Sequence, residues 1–136
     1  MRIQKTVLVG ARNQGVMSQF SFFDPMVAEA LGVIGAVLKS LGCEVVWIDE
    51  AIDHLDPKSS LWQLVVDADL FCVSAMTHTE GRAVELARFA KIVNQNIFCV
   101  AGGPGPTSNP GKALATFNVV VMAQGVHTIV DLVRCL

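Results

Sequence analysis

Leu70-Phe71-Cys72-Val73-Ser74-Ala75 decides how this chain folds. Its residues Leu70 to Val73 are apolar in succession rather than alternating with polar ones, so the run has no solvent face. A helix of six residues would be marginal, and β-branched and aromatic side chains favour an extended backbone. The run therefore reads as a strand of a parallel sheet, buried on both faces. Four more runs share the pattern. One starts near Ile3 and closes on Val7-Leu8-Val9-Gly10. The others are Glu44 to Asp49, Ile97 to Ala101 and Phe117 to Met122.

Helical segments with start and stop signals lie between the runs. Asp24-Pro25 pairs an N-cap with proline at the first helical position, opening a helix to about Leu41 that Gly42 stops. Thr77-His78-Thr79-Glu80 reads as a capping box for a helix to about Asn94, with Val84, Ala87, Phe89 and Ala90 near one stripe. Leu61 to Val66 reads as a short helix. Asn109-Pro110 opens another, to about Thr116, and Gly125 to Leu136 closes the chain as a helix with Ile129, Val130, Leu132 and Val133 apolar. Strand and helix thus alternate. Right-handed crossovers give one domain over residues 1–136, a doubly wound α/β fold of the flavodoxin-like or Rossmann-like class. Its five-stranded parallel sheet carries helices on both faces.

Composition narrows the function. Apolar residues make up 52% of the 136 residues and charged residues 16%, which excludes intrinsic disorder. A net charge of −2 provides no basic footprint for nucleic acid or an anionic membrane. No apolar run approaches the roughly 18 residues of a spanning helix, and no signal peptide precedes the first strand, so a cytoplasmic location is expected. Cys43, Cys72, Cys99 and Cys135 form no C-x-x-C pair. They read as reduced, structural thiols rather than zinc or iron–sulfur ligands.

In a doubly wound sheet, ligands bind beyond the carboxyl ends of the strands. After the first strand, Gly10-Ala11-Arg12-Asn13-Gln14-Gly15 opens a stretch to Phe23 that is long for such a loop. It matches neither a P-loop nor a G-x-G-x-x-G turn. Ser74-Ala75-Met76-Thr77-His78-Thr79 follows the third strand, its small and hydroxylated residues suited to hydrogen-bonding a closely held ligand. After the fourth come Gly102-Gly103-Pro104-Gly105-Pro106-Thr107-Ser108, where two adjacent glycines admit a ligand or another backbone and the prolines stiffen a turn. Gln124-Gly125 turns from the fifth strand into the last helix. Gly32 and Gly35, inside the first long helix, serve either close packing on the sheet or a ligand wall.

Taken together, these edges resemble the cobalamin-binding domain, in particular the version at the N-terminus of cobalamin-dependent radical SAM enzymes. The matching stretches are Ala30 to Val33, Val37 to Val45 with Ile48-Asp49, Asp69 to Thr77, Ala101 to Pro104 with Pro106-Thr107, and the last strand with its Gly125 turn. The resemblance implies a corrin ring on the carboxyl edge and a nucleotide tail descending beside the third and fourth strands. Ser74 and Thr77 would contact the tail, Gly102 and Gly103 would give it space, and Gln124-Gly125 would flank tail or ring. Arg12, Gly32, Ala75, Met76, His78, Pro104 and Gly105 complete the expected cofactor-binding set.

The chain also departs from the pattern. The D-x-H-x-x-G of many cobalamin carriers is absent, with Arg12 in place of the histidine that replaces cobalt's lower ligand. Gly105 stands where GGP is usually followed by histidine, and Gln124 and Val126 where acidic residues are usual. No C-x-x-x-C-x-x-C cluster motif occurs, and no acid–base pair or nucleophilic triad emerges. His54 reads as solvated, His127 opens the last helix near the edge as a weak candidate, and Asp67 and Asp69 lie at the opposite edge. The implied function is a cobalamin (corrinoid) module without turnover of its own, either a cofactor carrier for a radical SAM or methyl-transfer system or the N-terminal domain of one. The alternative is a cofactor-free structural or regulatory subunit that keeps the fold. A flavin site lacks its phosphate cradle, and a receiver domain lacks its acidic pair and phosphorylatable aspartate. Phe20, Phe22 and Phe23 read as lid, partner patch or core.

Overall fold

The computed structural model describes residues 2–12 and 25–136, with only the backbone given for 25–29. Asp24, expected to cap the first helix, the stretch from Asn13 onward, expected as a loop, and the three phenylalanines therefore lie outside the described residues. Five parallel strands form one sheet in the order β2-β1-β3-β4-β5. They are β1 (Lys5–Gly10), β2 (Glu44–Asp49), β3 (Leu70–Ser74), β4 (Phe98–Gly102) and β5 (Val119–Val120). The helices are α1 (Pro25–Ser40), α2 (Gln63–Val66), α3 (Glu80–Val93), α4 (Pro104–Ser108), α5 (Pro110–Ala113) and α6 (Val126–Cys135). The order reverses at β1, so the switch point lies between β1 and β3.

Alternation along each strand builds two cores. Val7, Val9, Phe71, Val73, Cys99 and Ala101 face α2, α3 and α5, joining Val65, Leu86, Ala87 and Ala113. Leu8, Leu70, Cys72, Val100 and Val121 face α1 and α6, joining Leu31, Leu38 and Ile129. Each large side chain fully buried this way contributes on the order of 1.5–3 kcal/mol. Register aligns the carboxyl ends, pairing Gly10 with Ser74 and Ser74 with Gly102. Backbone bonds then stitch that edge: Ala11 N–H donates to the Ser74 carbonyl at 3.1 Å and Ala75 N–H to the Gly102 carbonyl at 3.0 Å.

Three local expectations are corrected. The fifth strand spans only Val119–Val120, because it is an edge strand and the Asn118 Oδ1 accepts the Cys99 N–H at 2.9 Å where a ladder bond would otherwise form. Pro104 does not stiffen a turn; it is the first residue of α4, with Gly103 as N-cap. The cap ahead of α3 is made by Thr79 rather than Thr77. The Thr79 hydroxyl accepts the Met76 N–H at 2.8 Å and closes a 3-10 turn over Thr77–Thr79.

Gly42 ends α1 with φ +87°, as the sequence implies. Gly35 is the close-packing glycine of α1, since a Cβ there would lie 3.3 Å from Leu8 Cδ1 on β1.

Candidate functional site

A cleft of about 730 Å³ opens between α1 and α6, at the carboxyl end of the sheet face that those helices cover. Its floor follows from strand parity. Cys72 and Ser74 on β3 point the same way, as do Val100 and Gly102 on β4. Val121, just beyond β5, completes the floor. Leu31 and Ile34 of α1 form one wall and Gly125, Val126 and Ile129 the other. Met76, Pro104, Thr107 and Gln124 stand at the mouth.

The cleft is polar only at its rim. Its deep part presents Cys72, Val100, Val121 and Ile129, all buried. No charged side chain lines it among the described residues. Burial pushes the Cys72 thiol well above its ordinary range, so the sulfur stays a neutral, weakly polar S–H. Among the described residues the Ser74 hydroxyl has no side-chain partner and is free for a ligand. Such a site suits a flat, uncharged, mainly apolar group entering from a polar mouth.

The two adjacent glycines have different roles. A Cβ on Gly102 would meet nothing within 4 Å, so this position keeps the floor open. Gly103 has φ +98°, and a Cβ there would lie 2.5 Å from the Ala75 carbonyl oxygen. Gly103 thus serves the close approach of two backbones. Gly125 is confined by packing alone, since its φ is −86° and a Cβ would lie 2.9 Å from the Val121 Cγ1 side-chain atom. Beside it Ala123 takes φ 57°, a left-handed backbone costing about 1–2 kcal/mol in a non-glycine residue. Its N–H donates to Thr107 Oγ1 at 3.2 Å, tying the start of α6 to α4 across the mouth.

Of the expected set, Ser74, Met76, Gly102, Gly103, Pro104, Gln124 and Gly125 meet at the cleft. The others stand apart from it. Ala75 has the opposite parity and is buried in the α3 core. Gly105 is taken up by packing, where a Cβ would lie 2.6 Å from Glu80 Cγ and 2.7 Å from the Met76 carbonyl oxygen. Gly32 is turned to the Trp47 ring on β2, where an added Cβ would make an ordinary contact at 3.8 Å. Thr77 and His78 are exposed after β3, outside the cleft. Arg12 pairs through its guanidinium with His54 Nδ1. Among the described residues no cluster of His, Cys, Asp and Glu could hold a metal ion.

Sequence reasoning missed two features. The cleft floor residues Cys72, Val100 and Val121 read simply as core, although they share parity with Ser74 and Gly102. The second is a buried ion pair. Glu50 is 0% exposed, and its oxygens take the Arg82 Nη2 at 2.7 Å and Nε at 3.0 Å. Arg82 also donates to the Leu55 carbonyl at 2.9 Å, and Leu55 N–H donates to Glu50 at 3.0 Å. This pair fastens the segment after β2 to α3, beside the carboxyl edge.

Fold and cleft together define a doubly wound domain with an open cleft at its carboxyl edge. No family model and no curated protein matches the sequence. Solved structures do share the fold. One is the radical S-adenosylmethionine methyltransferase TsrM from Kitasatospora setae with cobalamin and an iron–sulfur cluster bound. The TM-score is 0.74 at 19% identity, over 98% of this chain and 26% of that one. A second is the cobalamin-dependent S-adenosylmethionine radical enzyme OxsB with aqua-cobalamin bound, with TM-score 0.74, 17% identity, and 98% and 19% covered. More distant is rubredoxin oxygen:oxidoreductase from Desulfovibrio gigas, with TM-score 0.57, 17% identity, and 92% and 31% covered. The chain therefore spans 26% and 19% of the two cobalamin-bound enzymes it resembles in fold.

Proposed function

We propose that this chain is a cobalamin-binding module whose α1–α6 cleft takes the nucleotide tail of the cofactor. The observation that carries the reading is the open floor at Gly102, inside an apolar cleft of about 730 Å³. That volume lies within the roughly 300–1,000 Å³ usual for sites that bury a small organic ligand. The fold shared with two cobalamin-bound enzymes supports the same choice.

In this reading Val100, Val121 and Ile129 exclude water from the base of the tail. Ser74 hydrogen-bonds the tail near the mouth. Gln124 and Met76 border the corrin ring. Cobalamin, when bound, supplies methyl-transfer chemistry at cobalt, and the protein contributes position and burial. The chain acts within residues 1–136 as one domain, in the cytoplasm, without nucleic acid. It serves a radical SAM or methyltransferase partner and has no turnover of its own. Among the described residues no helix is long and apolar enough to cross a membrane.

The competing reading is a cofactor-free subunit. It draws on Arg12, which is paired with His54, and on Gly105, which is filled by packing. Mixing the protein with hydroxocobalamin and removing free cofactor by gel filtration decides between them. A coloured protein peak, lost in Gly102→Leu, supports cobalamin binding; a colourless peak for the parent chain supports the competitor.

A further inference from the structure

The polarity of the cleft changes along its length, and that gradient bears on which corrinoid it accepts. At the mouth stand Ser74, Thr107 and Gln124. Deeper in, Cys72, Val100, Val121 and Ile129 provide no hydrogen-bonding group stronger than a neutral thiol. Corrinoids differ in the base that ends the nucleotide tail. A dimethylbenzimidazole is apolar apart from a single free ring nitrogen. An adenine carries an amino group and several ring nitrogens, each of which loses its water on entering the cleft. A buried polar group left without a partner opposes binding, whereas methyl groups against valine and isoleucine favour it.

Resting on the cobalamin reading above, we infer that the cleft selects corrinoids with a benzimidazole base over those with an adenine base. The residues that set the preference are Cys72, Val100 and Val121 on the floor. The discrimination is at least about tenfold in affinity, the range expected when a site leaves polar ligand groups unpaired.

The test is equilibrium binding, followed by the corrin absorbance, of three probes to the full chain. They are hydroxocobalamin, its adenine-based analogue, and cobinamide, which lacks the nucleotide. Val100→Thr places a hydroxyl on the floor with little change of shape, and Cys72→Ser does so one strand away if the first variant fails to fold. The expected result is tight cobalamin, at least tenfold weaker adenine analogue and weaker cobinamide, with the first two drawn together in either variant. Equal binding of cobalamin and the adenine analogue overturns the selectivity while leaving the cofactor assignment intact. Cobinamide binding as tightly as cobalamin removes the tail from the cleft, and the selectivity with it. Binding of none of the three overturns the cofactor assignment itself.

Discussion

Adding one methyl group at Gly102 or at Gly103 should have opposite consequences, although the residues are neighbours in sequence. At Gly103 the backbone has φ +98° and ψ 177°, a region nearly reserved for glycine that costs a side-chain-bearing residue about 1–3 kcal/mol. The new Cβ would also lie 2.5 Å from the Ala75 carbonyl oxygen and 3.1 Å from the Ala75 nitrogen. Both are backbone atoms held by the β3–β4 register, and relieving the overlap costs a further ~1–3 kcal/mol. Gly103→Ala therefore loses about 2–6 kcal/mol, or roughly 6–24 °C in Tm for a chain of this length. At Gly102 a Cβ meets nothing within 4 Å. Gly102→Ala keeps the parent stability or gains up to about 1 kcal/mol through a less flexible unfolded chain. Thermal melts followed by circular dichroism, checked by urea titration, measure both. A Gly103→Ala protein that melts with the parent would refute the reasoning, as would a Gly102→Ala protein that falls as far.

Other perturbations probe the remaining features. Arg82→Met leaves Glu50 buried and unpaired and should cost about 3–5 kcal/mol in urea unfolding; adding Glu50→Leu should recover part of the loss. Thr79→Val removes the hydroxyl that closes the turn before α3 and should cost about 1 kcal/mol, read by the same titration. Burial pushes the Cys99 thiol from 9.0 up to about 11, against the opposing pull of Lys91, and raises Cys72 as well. The unfolded chain loses these protons first as pH rises. Native stability should therefore be unaffected by them below about pH 9 and fall from there towards pH 11, by about 1.4 kcal/mol per pH unit for each thiol. Replacing Cys72 and Cys99 together by alanine should flatten most of that slope. Of the four cysteines, only the exposed Cys135 should react rapidly with a thiol reagent at neutral pH.

Much of the architecture was legible because uninterrupted apolar runs such as Leu70 to Val73 admit few alternatives. Parallel pairing and two-sided burial follow from them. The edge strand was less legible, since Val119 and Val120 pair on one side only and Asn118 intervenes with its side chain. The helix at Pro104 carried the same first-position proline that marks Asn109-Pro110, but five consecutive glycines and prolines, Gly102 to Pro106, resembled a turn. Within the site, Ser74 and Gly102 were readable as small residues at strand ends. Cys72, Val100 and Val121 were not, because a buried wall and a cleft floor have the same composition. The distinction depends on how far α1 and α6 stand apart, which is a tertiary property. Glu50 and Arg82 lie 32 residues apart and belong to no motif, so nothing local announces their pairing.

Methyl NMR of the α1–α6 cleft bears most directly on the account. Resonances of Val100, Val121 and Ile129 should shift through the ring current of the base when hydroxocobalamin is added, and stay in place with cobinamide. Methyl groups of Val65 and Leu86, across the sheet, should not respond to either. Unmoved cleft methyls in the presence of saturating hydroxocobalamin would contradict the claim that this cleft receives the nucleotide tail.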